Sequence, residues 1–366
     1  MSQKEKKECR VVRRCTIYDV AKQAQVSPST VSHVLNGTAS ISPSTQKCVL
    51  EAVEKLGYRP NANARALRQP HSRILGVIFP DISSEYYASC TASIIQQARR
   101  QNYVVLANDL HFDNDVLKFS IPALVERRVD GLIFVGGTQD EVYLKMVTEA
   151  GVPLVLGDRM VEGYPCVEFN NYETMRKLVG ALYDSGYRRF GYVGEVINQQ
   201  QNLERRFSGF LAGIKERSIS SDNVFVQLDE SLNFSEKINS AYAFFRGYFA
   251  QTDREHMPQV MLTSNDMVAM GCMSAALRSG FRVPEDIAII GFDNISLAAF
   301  STPSITSIEQ NPYRLGVSCF SELMAQMQGK ETHNIMLSQQ VVVRRSAPIS
   351  EDCLIKNGLD IVRDSR

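Results

Sequence analysis

The sequence predicts an all-α helix-turn-helix headpiece followed by a two-lobed α/β core with parallel sheets. Three observations carry that reading. Three short helices, each with its own start and stop signals, fit within residues 16–57. Beyond Ile74, continuous apolar strands alternate with helical periods, and the pattern restarts once near Arg189, as expected for two parallel sheets covered on both faces. The chain of 366 residues is long enough for two or three domains, and its 44% hydrophobic composition is ordinary for a globular protein.

In the first helix, Thr16-Ile-Tyr-Asp19 has the spacing of a capping box with a shorter acid, and Ile17, Val20, Ala21 and Ala24 supply the apolar face. Gln25-Val26 makes a turn. Ser27-Pro28 starts the second helix, because serine accepts from an orphan amide and proline fixes φ at the first helical position. Thr30, Val31, Val34 and Leu35 follow at helical spacing, leaving Pro28, Ser29, Ser32 and His33 toward its start and outer face. A third helix runs from Ser42-Pro43 through Val49, Val53 and Leu56 to Gly57. Two short helices joined by a tight turn, with a third behind them, suggest a module that reads duplex DNA. The linker Tyr58 to Arg68 is rich in alanine and arginine but too short for a stable isolated helix, so it is expected to fold only against DNA and a partner subunit.

Net charge is zero over the chain but unevenly placed. Residues 1–73 hold 13 Lys and Arg against 5 Asp and Glu, a balance of +8, which leaves −8 for the remainder. A basic end on an acidic body fits a phosphate-facing module. Residues 1–15 form a basic leader, read as a solvated tail. The eight cysteines are scattered without a C-x-x-C pair, which favours free thiols over disulfides or a metal site. No histidine lies at ligand spacing from another or from a cysteine pair, so no metal or cofactor is expected. No membrane-length apolar run and no signal-like start are present, and a cytoplasmic product is expected. The phosphate-loop, dinucleotide, zinc-protease and serine-hydrolase signatures are absent, and no catalytic residues are assigned.

In the core, the strands are ILGVIFP, YVVLAND, DGLIFVGG and PLVLGD, then RFGYVG, residues 223–227, QVMLTS and DIAIIGFD. Helices are expected over 86–101, 115–127, 204–217, 235–250, 266–279 and 312–328. Open parallel sheets bind ligands outside the carboxyl ends of their strands. That rule selects Tyr86 and Tyr87 after the first strand, Asp158 and Arg159 after the fourth, and Asn265, Asp266 and Asp293 in the second lobe. Tyrosine rings stack on a sugar face and hydrogen-bond its hydroxyls.

The runs TIYDVAKQAQVSPSTVSHVLNG and TQKCVLEAVEKLGYRPNANARALR resemble the headpiece of the lactose/galactose repressor family of bacterial transcription regulators. The resemblance covers residues 16–347 and implies a core of periplasmic-binding-protein type. It implies base reading at Pro28, Ser29 and His33, with Thr30, Ser32 and Asn36 anchoring the backbone and Thr16, Ser27, Asn61 and Arg65 also among the DNA-binding residues. It makes Leu67 of the hinge helix a wedge in the minor groove. It places Arg206 of RRFSGF on the effector, with Asp158-Arg159 and Asp293 at family positions. Asn170-Asn171 departs from the usual Asp-Asn.

The domains expected are a leader at 1–15, the headpiece at 16–60, the hinge at 61–72, a core at 73–347 and a tail at 348–366. Within the core, lobe 1 is expected at about 73–172 and 302–330, and lobe 2 at about 173–301 and 331–347. The family implies a homodimeric repressor on double-stranded, pseudo-palindromic operator DNA, controlled by a small sugar-like effector and without a membrane partner. The competing reading is a transport-type sugar-binding protein, which would carry a signal peptide and no headpiece.

Overall fold

Local capping chemistry builds the headpiece in this computed structural model, which describes residues 15–58, 71–111, 113–137, 141–196, 201–233 and 236–363. Helix α1 (Ile17–Ala24) opens on a complete capping box: the Asp19 amide donates to Thr16 Oγ1 at 3.4 Å and the Thr16 amide to Asp19 Oδ2 at 2.8 Å. Helix α2 (Pro28–Asn36) starts from Ser27, whose Oγ accepts from the Thr30 amide, and α3 (Pro43–Leu56) starts from Ser42 in the same way. Each ends on a left-handed residue, Gln25, Gly37 and Gly57 respectively. Val20, Ala21, Val31, Val49 and Ala52 are buried together where the three helices meet. Asn61, Arg65, Leu67 and the leader up to residue 14 lie outside the described residues.

Residues 73–366 form a second unit containing two sheets. The first lobe contains β1 (Ile74–Phe79), α4 (Glu85–Arg100), β2 (Val104–Asp109), α5 (Leu117–Glu126), β3 (Gly131–Val135), α6 (Glu141–Glu149), β4 (Leu154–Gly157) and β5 (Cys166–Phe169). The chain then crosses into the second lobe. There it forms α7 (Asn171–Asp184), β6 (Phe190–Glu195), α8 (Gln201–Glu216), β7 (Val224–Asp229), α9 (Lys237–Gln251), β8 (Val260–Thr263), α10 (Asp266–Arg278), β9 (Ala288–Asp293), α11 (Ser296–Phe300) and β10 (Thr306–Glu309). It returns with α12 (Pro312–Met327) and β11 (Ile335–Leu337), and crosses again into β12 (Gln340–Val343), α13 (Glu351–Lys356) and β13 (Asp360–Arg363). The strand orders are β11-β5-β4-β3-β1-β2 and β13-β12-β10-β9-β8-β6-β7, with β10 and β12 antiparallel and the other paired strands parallel. Gly291 in β9 is required by close approach, because a side chain there would run into the Asp266 carboxylate.

Two expectations about chain tracing are corrected. The return to lobe 1, expected from residue 302, begins only after β10, whose Ile308 is fully buried in the second lobe's core and whose Thr306–Glu309 run pairs with β9. The second return, expected from residue 331, begins only after β11, which extends the first sheet beside β5. A three-residue strand shows too little periodicity to be read from sequence. The tail, expected as a separate segment at 348–366, is part of the second lobe. Leu354 and Leu359 are buried in that lobe's core, Asn357-Gly358 form the turn, and β13 pairs with β12.

The described cysteines are free thiols. No helix among the described residues is long and apolar enough to cross a membrane. Since Leu354 has no exposed surface, Leu354→Ala is expected to destabilise the core by about 2–5 kcal/mol. Urea unfolding measures this, and an unchanged midpoint would make the tail an appendage after all.

Candidate functional site

Helix α2 presents Ser29, His33 and Asn36 to solvent, with Pro28, Thr30 and Ser32 half-buried. Two of the side chains expected at DNA already have work inside the headpiece, since Thr16 Oγ1 and Ser27 Oγ cap α1 and α2. His33 Nδ1 shares a hydrogen bond of 2.9 Å with Thr38 Oγ1, which orients the ring and leaves Nε2 outward. Asn36 donates to Ser32 Oγ at 3.3 Å. The sequence reading passed over Tyr18, whose ring is 71% exposed on α1.

The second site is a cleft of about 590 Å3, its open mouth included, between the carboxyl ends of the two sheets. Tyr86, Tyr87, Asp158, Arg206, Asn265, Asp266 and Asp293 all line it. Arg159 does not. Asp158 takes a left-handed backbone (φ 57°), and the next side chain stacks on Phe134 instead, 4.3 Å from the ring centroid. Burial there brings the Arg159 guanidinium down to about 10.

Arg206 is buried on α8. Its Nε donates to Asn171 Oδ1 at 3.2 Å, Nη1 to the Ser264 carbonyl, and Nη2 reaches Asp293 Oδ1 at 3.4 Å. The guanidinium also lies 3.8 Å from the centroid of Phe292. Asp293 ends β9 with φ 100° and accepts from Gln310 Nε2 at 2.8 Å. Asp266 has both oxygens engaged, by Ser307 Oγ at 2.7 Å and the Ile295 amide at 2.8 Å, so it holds the cleft wall in place.

The strand-end rule also reaches Glu195, the last residue of β6, but the sequence reading did not select it. Glu195 Oε1 accepts from Lys237 Nζ at 2.6 Å and Asn265 Nδ2 at 2.7 Å, and both Glu195 and Lys237 line the cleft. Lys237, at the start of α9, gave no sequence signal because nothing local ties that helix start to a cleft. Outside the cleft, Asp81, Asp109 and His111 converge, but both carboxylates accept from loop amides or Ser83 and serve to fasten turns.

Burial pushes Asp158 up to about 7, with Arg206 pulling the other way, and pushes Asp266 up to about 8. Burial also raises Asp293 against the opposing pull of Arg206. Desolvation by burial would raise Glu195, but the Lys237 ammonium and its hydrogen bond, with the neighbouring Ser264 hydroxyl and the Glu195 backbone amide, together bring it down. The cleft therefore crowds carboxylates together, with Glu195 paired to Lys237 and Asp293 to Arg206.

Among the described residues, four polar residue pairs bridge the lobes beside the cleft. Glu85 accepts from the Ser296 amide and hydroxyl, Asn202 donates to Asp158 Oδ2, the Met160 amide donates to Gln201, and Arg205 pairs with buried Glu168 at 2.7 Å. The three crossover segments also contribute buried amides. Gln339 Nε2 donates to Asn171 Oδ1 at 3.1 Å and to Gln310 Oε1 at 3.3 Å, which ties the crossovers to the Arg206–Asp293 pair.

Residues 16–61 match the profile of bacterial regulatory proteins of the lacI family, and residues 179–347 match a periplasmic binding protein-like domain. The chain is 30% identical over 339 residues to catabolite control protein A of Priestia megaterium, covering 90% of this chain and 98% of that protein. It is 31% identical over 338 residues to the HTH-type transcriptional repressor PurR of Pectobacterium atrosepticum, covering 90% and 96%. Among solved structures it is similar to the lac repressor dimer bound to operator and the anti-inducer ONPF, with TM-score 0.78, 25% identity, and coverage of 91% and 99%.

The Asp158 shift has a testable sign. A carboxyl whose pKa rises on folding stabilises the fold fully below its unfolded value, 3.8, and that contribution is lost as pH rises through about 7. Asp158→Asn is therefore expected to reduce the fall in ligand-free stability between pH 5 and pH 8, measured by urea unfolding at both. An equal fall in variant and parent would contradict the shift.

Proposed function

The chain belongs to the lacI family of bacterial regulatory proteins and is a DNA-binding transcriptional regulator, and on that premise we propose that it is a homodimeric repressor whose operator affinity is set by a small sugar-like effector in the cleft. One observation supports this reading above others: seven side chains selected by the strand-end rule and the family resemblance line a single cleft between the lobes. No catalytic step is proposed.

In this reading one headpiece occupies each half-site of a pseudo-palindromic operator. Ser29 and His33 Nε2 face base edges, Pro28 offers van der Waals contact, and Thr30, Ser32, Asn36, Asn61 and Arg65 hold the backbone. Leu67 enters the minor groove at the centre. In the core, a ligand that hydrogen-bonds Asp158 from lobe 1 and Asp293 from lobe 2 favours one angle between the lobes. The crossover amides Asn171, Gln310 and Gln339 join that angle to the Arg206–Asp293 pair. The coupling is reciprocal, so operator DNA shifts effector affinity by the factor by which effector shifts operator affinity.

Selection of genomic fragments on the purified protein at fixed salt tests the reading, and an enriched palindrome with a fixed centre is expected. Random retention would overturn it. On the selected operator, His33→Ala is expected to relax preference at particular half-site base pairs by about 1–3 kcal/mol. A uniform loss across sequences would make His33 a phosphate contact. Leu67→Ala is expected to weaken operator binding strongly while leaving effector binding intact, and unchanged operator affinity would remove it from the hinge role.

A further inference from the structure

Resting on the reading of the cleft as the effector site, we propose that Glu195 selects the effector, and that it selects a hydrogen-bond donor: the ligand is polyhydroxylated or amine-bearing and carries no phosphate or carboxylate. Glu195 is 3% exposed at the end of β6, in the wall of the cleft. Its Oε1 is held by two donors, Lys237 and Asn265, while Oε2 is buried with no hydrogen-bond partner among the described residues. Asp158 repeats the arrangement, with Oδ2 taking the Asn202 amide and Oδ1 buried and unpartnered among the described residues. The Tyr86 hydroxyl is the third such group.

The cations are placed the other way. The Arg206 guanidinium points its donors at Asn171, Ser264 and Asp293, and the Lys237 ammonium donates to Glu195 and the Leu232 carbonyl. Two of the three buried cleft atoms that lack a partner among the described residues are therefore carboxylate oxygens, and the third, the Tyr86 hydroxyl, both accepts and donates. A buried acceptor calls for a donor. A phosphate or carboxylate would bring further acceptors against Asp158, Glu195 and Asp293, and would meet a guanidinium and an ammonium already ion-paired with Asp293 and Glu195.

The two donors on Oε1 make Glu195→Gln a sharp test. Lys237 and Asn265 pin whichever oxygen remains, so the glutamine carbonyl takes the Oε1 position and its NH2 takes the Oε2 position. The unpartnered acceptor is thereby replaced by a donor with little change of shape. The full chain is titrated calorimetrically with neutral pentoses and hexoses, a nucleoside, an amino sugar, and phosphorylated and carboxylated sugars. Binding is expected from the neutral or amine-bearing members, and Glu195→Gln is expected to weaken the best of them roughly 10- to 100-fold. Glu195→Asp keeps the acceptor one methylene shorter, and is expected to retain more affinity than the glutamine variant. It also provides the comparison if Glu195→Gln does not fold.

An anionic sugar as the tightest ligand overturns the proposal, as does a Glu195→Gln variant that binds like the parent. Asp293→Asn separates the two levels of argument. Binding lost in Asp293→Asn but unchanged in Glu195→Gln leaves the effector site standing and removes the selection by Glu195. Binding unchanged in every variant, or no binding by any member, removes both.

Discussion

A guanidinium shut away from water organises the second lobe. Arg206 is 3% exposed, and a charge in that position persists only if its desolvation is offset by close partners. Asn171, the Ser264 carbonyl and Asp293 supply them from α7, the end of β8 and the end of β9, and the Phe292 ring stacks beneath the plane. One side chain thus fixes three elements relative to α8. The carboxylates Asp158 and Asp293 depend on the same charge, since each would be still less willing to ionise without it.

The same cation connects the cleft to the crossovers. Asn171, Gln310 and Gln339 sit where the chain passes between the lobes, and all three are buried. Amides suit that place because they donate and accept without titrating, so their contacts persist across the pH range in which Asp158 changes charge. A rotation of one lobe must rearrange these bonds along with the four bridges beside the cleft. Rearrangement between discrete bonded sets gives a two-state element, on which a ligand acts through its different affinity for each state.

Much of this was legible in the sequence, and the unread remainder has identifiable physical causes. The headpiece was readable because caps are local: Thr16 with Asp19, Ser27 with Pro28, and Ser42 with Pro43 signal their helices within four residues. The cleft was readable in outline because strand ends define it. Arg159 was misplaced because position after a strand does not fix side-chain direction, and the left-handed turn at Asp158 decides it. Glu195 satisfied the same rule as Asp293 but stood out only once Lys237 and Asn265 were seen on it. The late exchange of β10 and β11 between the sheets depends on long-range pairing, which no local pattern encodes.

That exchange has a consequence for how the protein is made. The first lobe begins with Ile74, yet its sheet gains its edge strand only with Ile335–Leu337, after nearly all of the second lobe has been synthesised. The second sheet in turn is finished by Asp360–Arg363. On the ribosome, therefore, the first sheet is not complete before residues 335–337 emerge, nor the second before residues 360–363, and the growing protein carries unpaired strand edges meanwhile. The headpiece depends on no such late arrival: its core lies within residues 15–58, and it is free to form while the rest is still being translated.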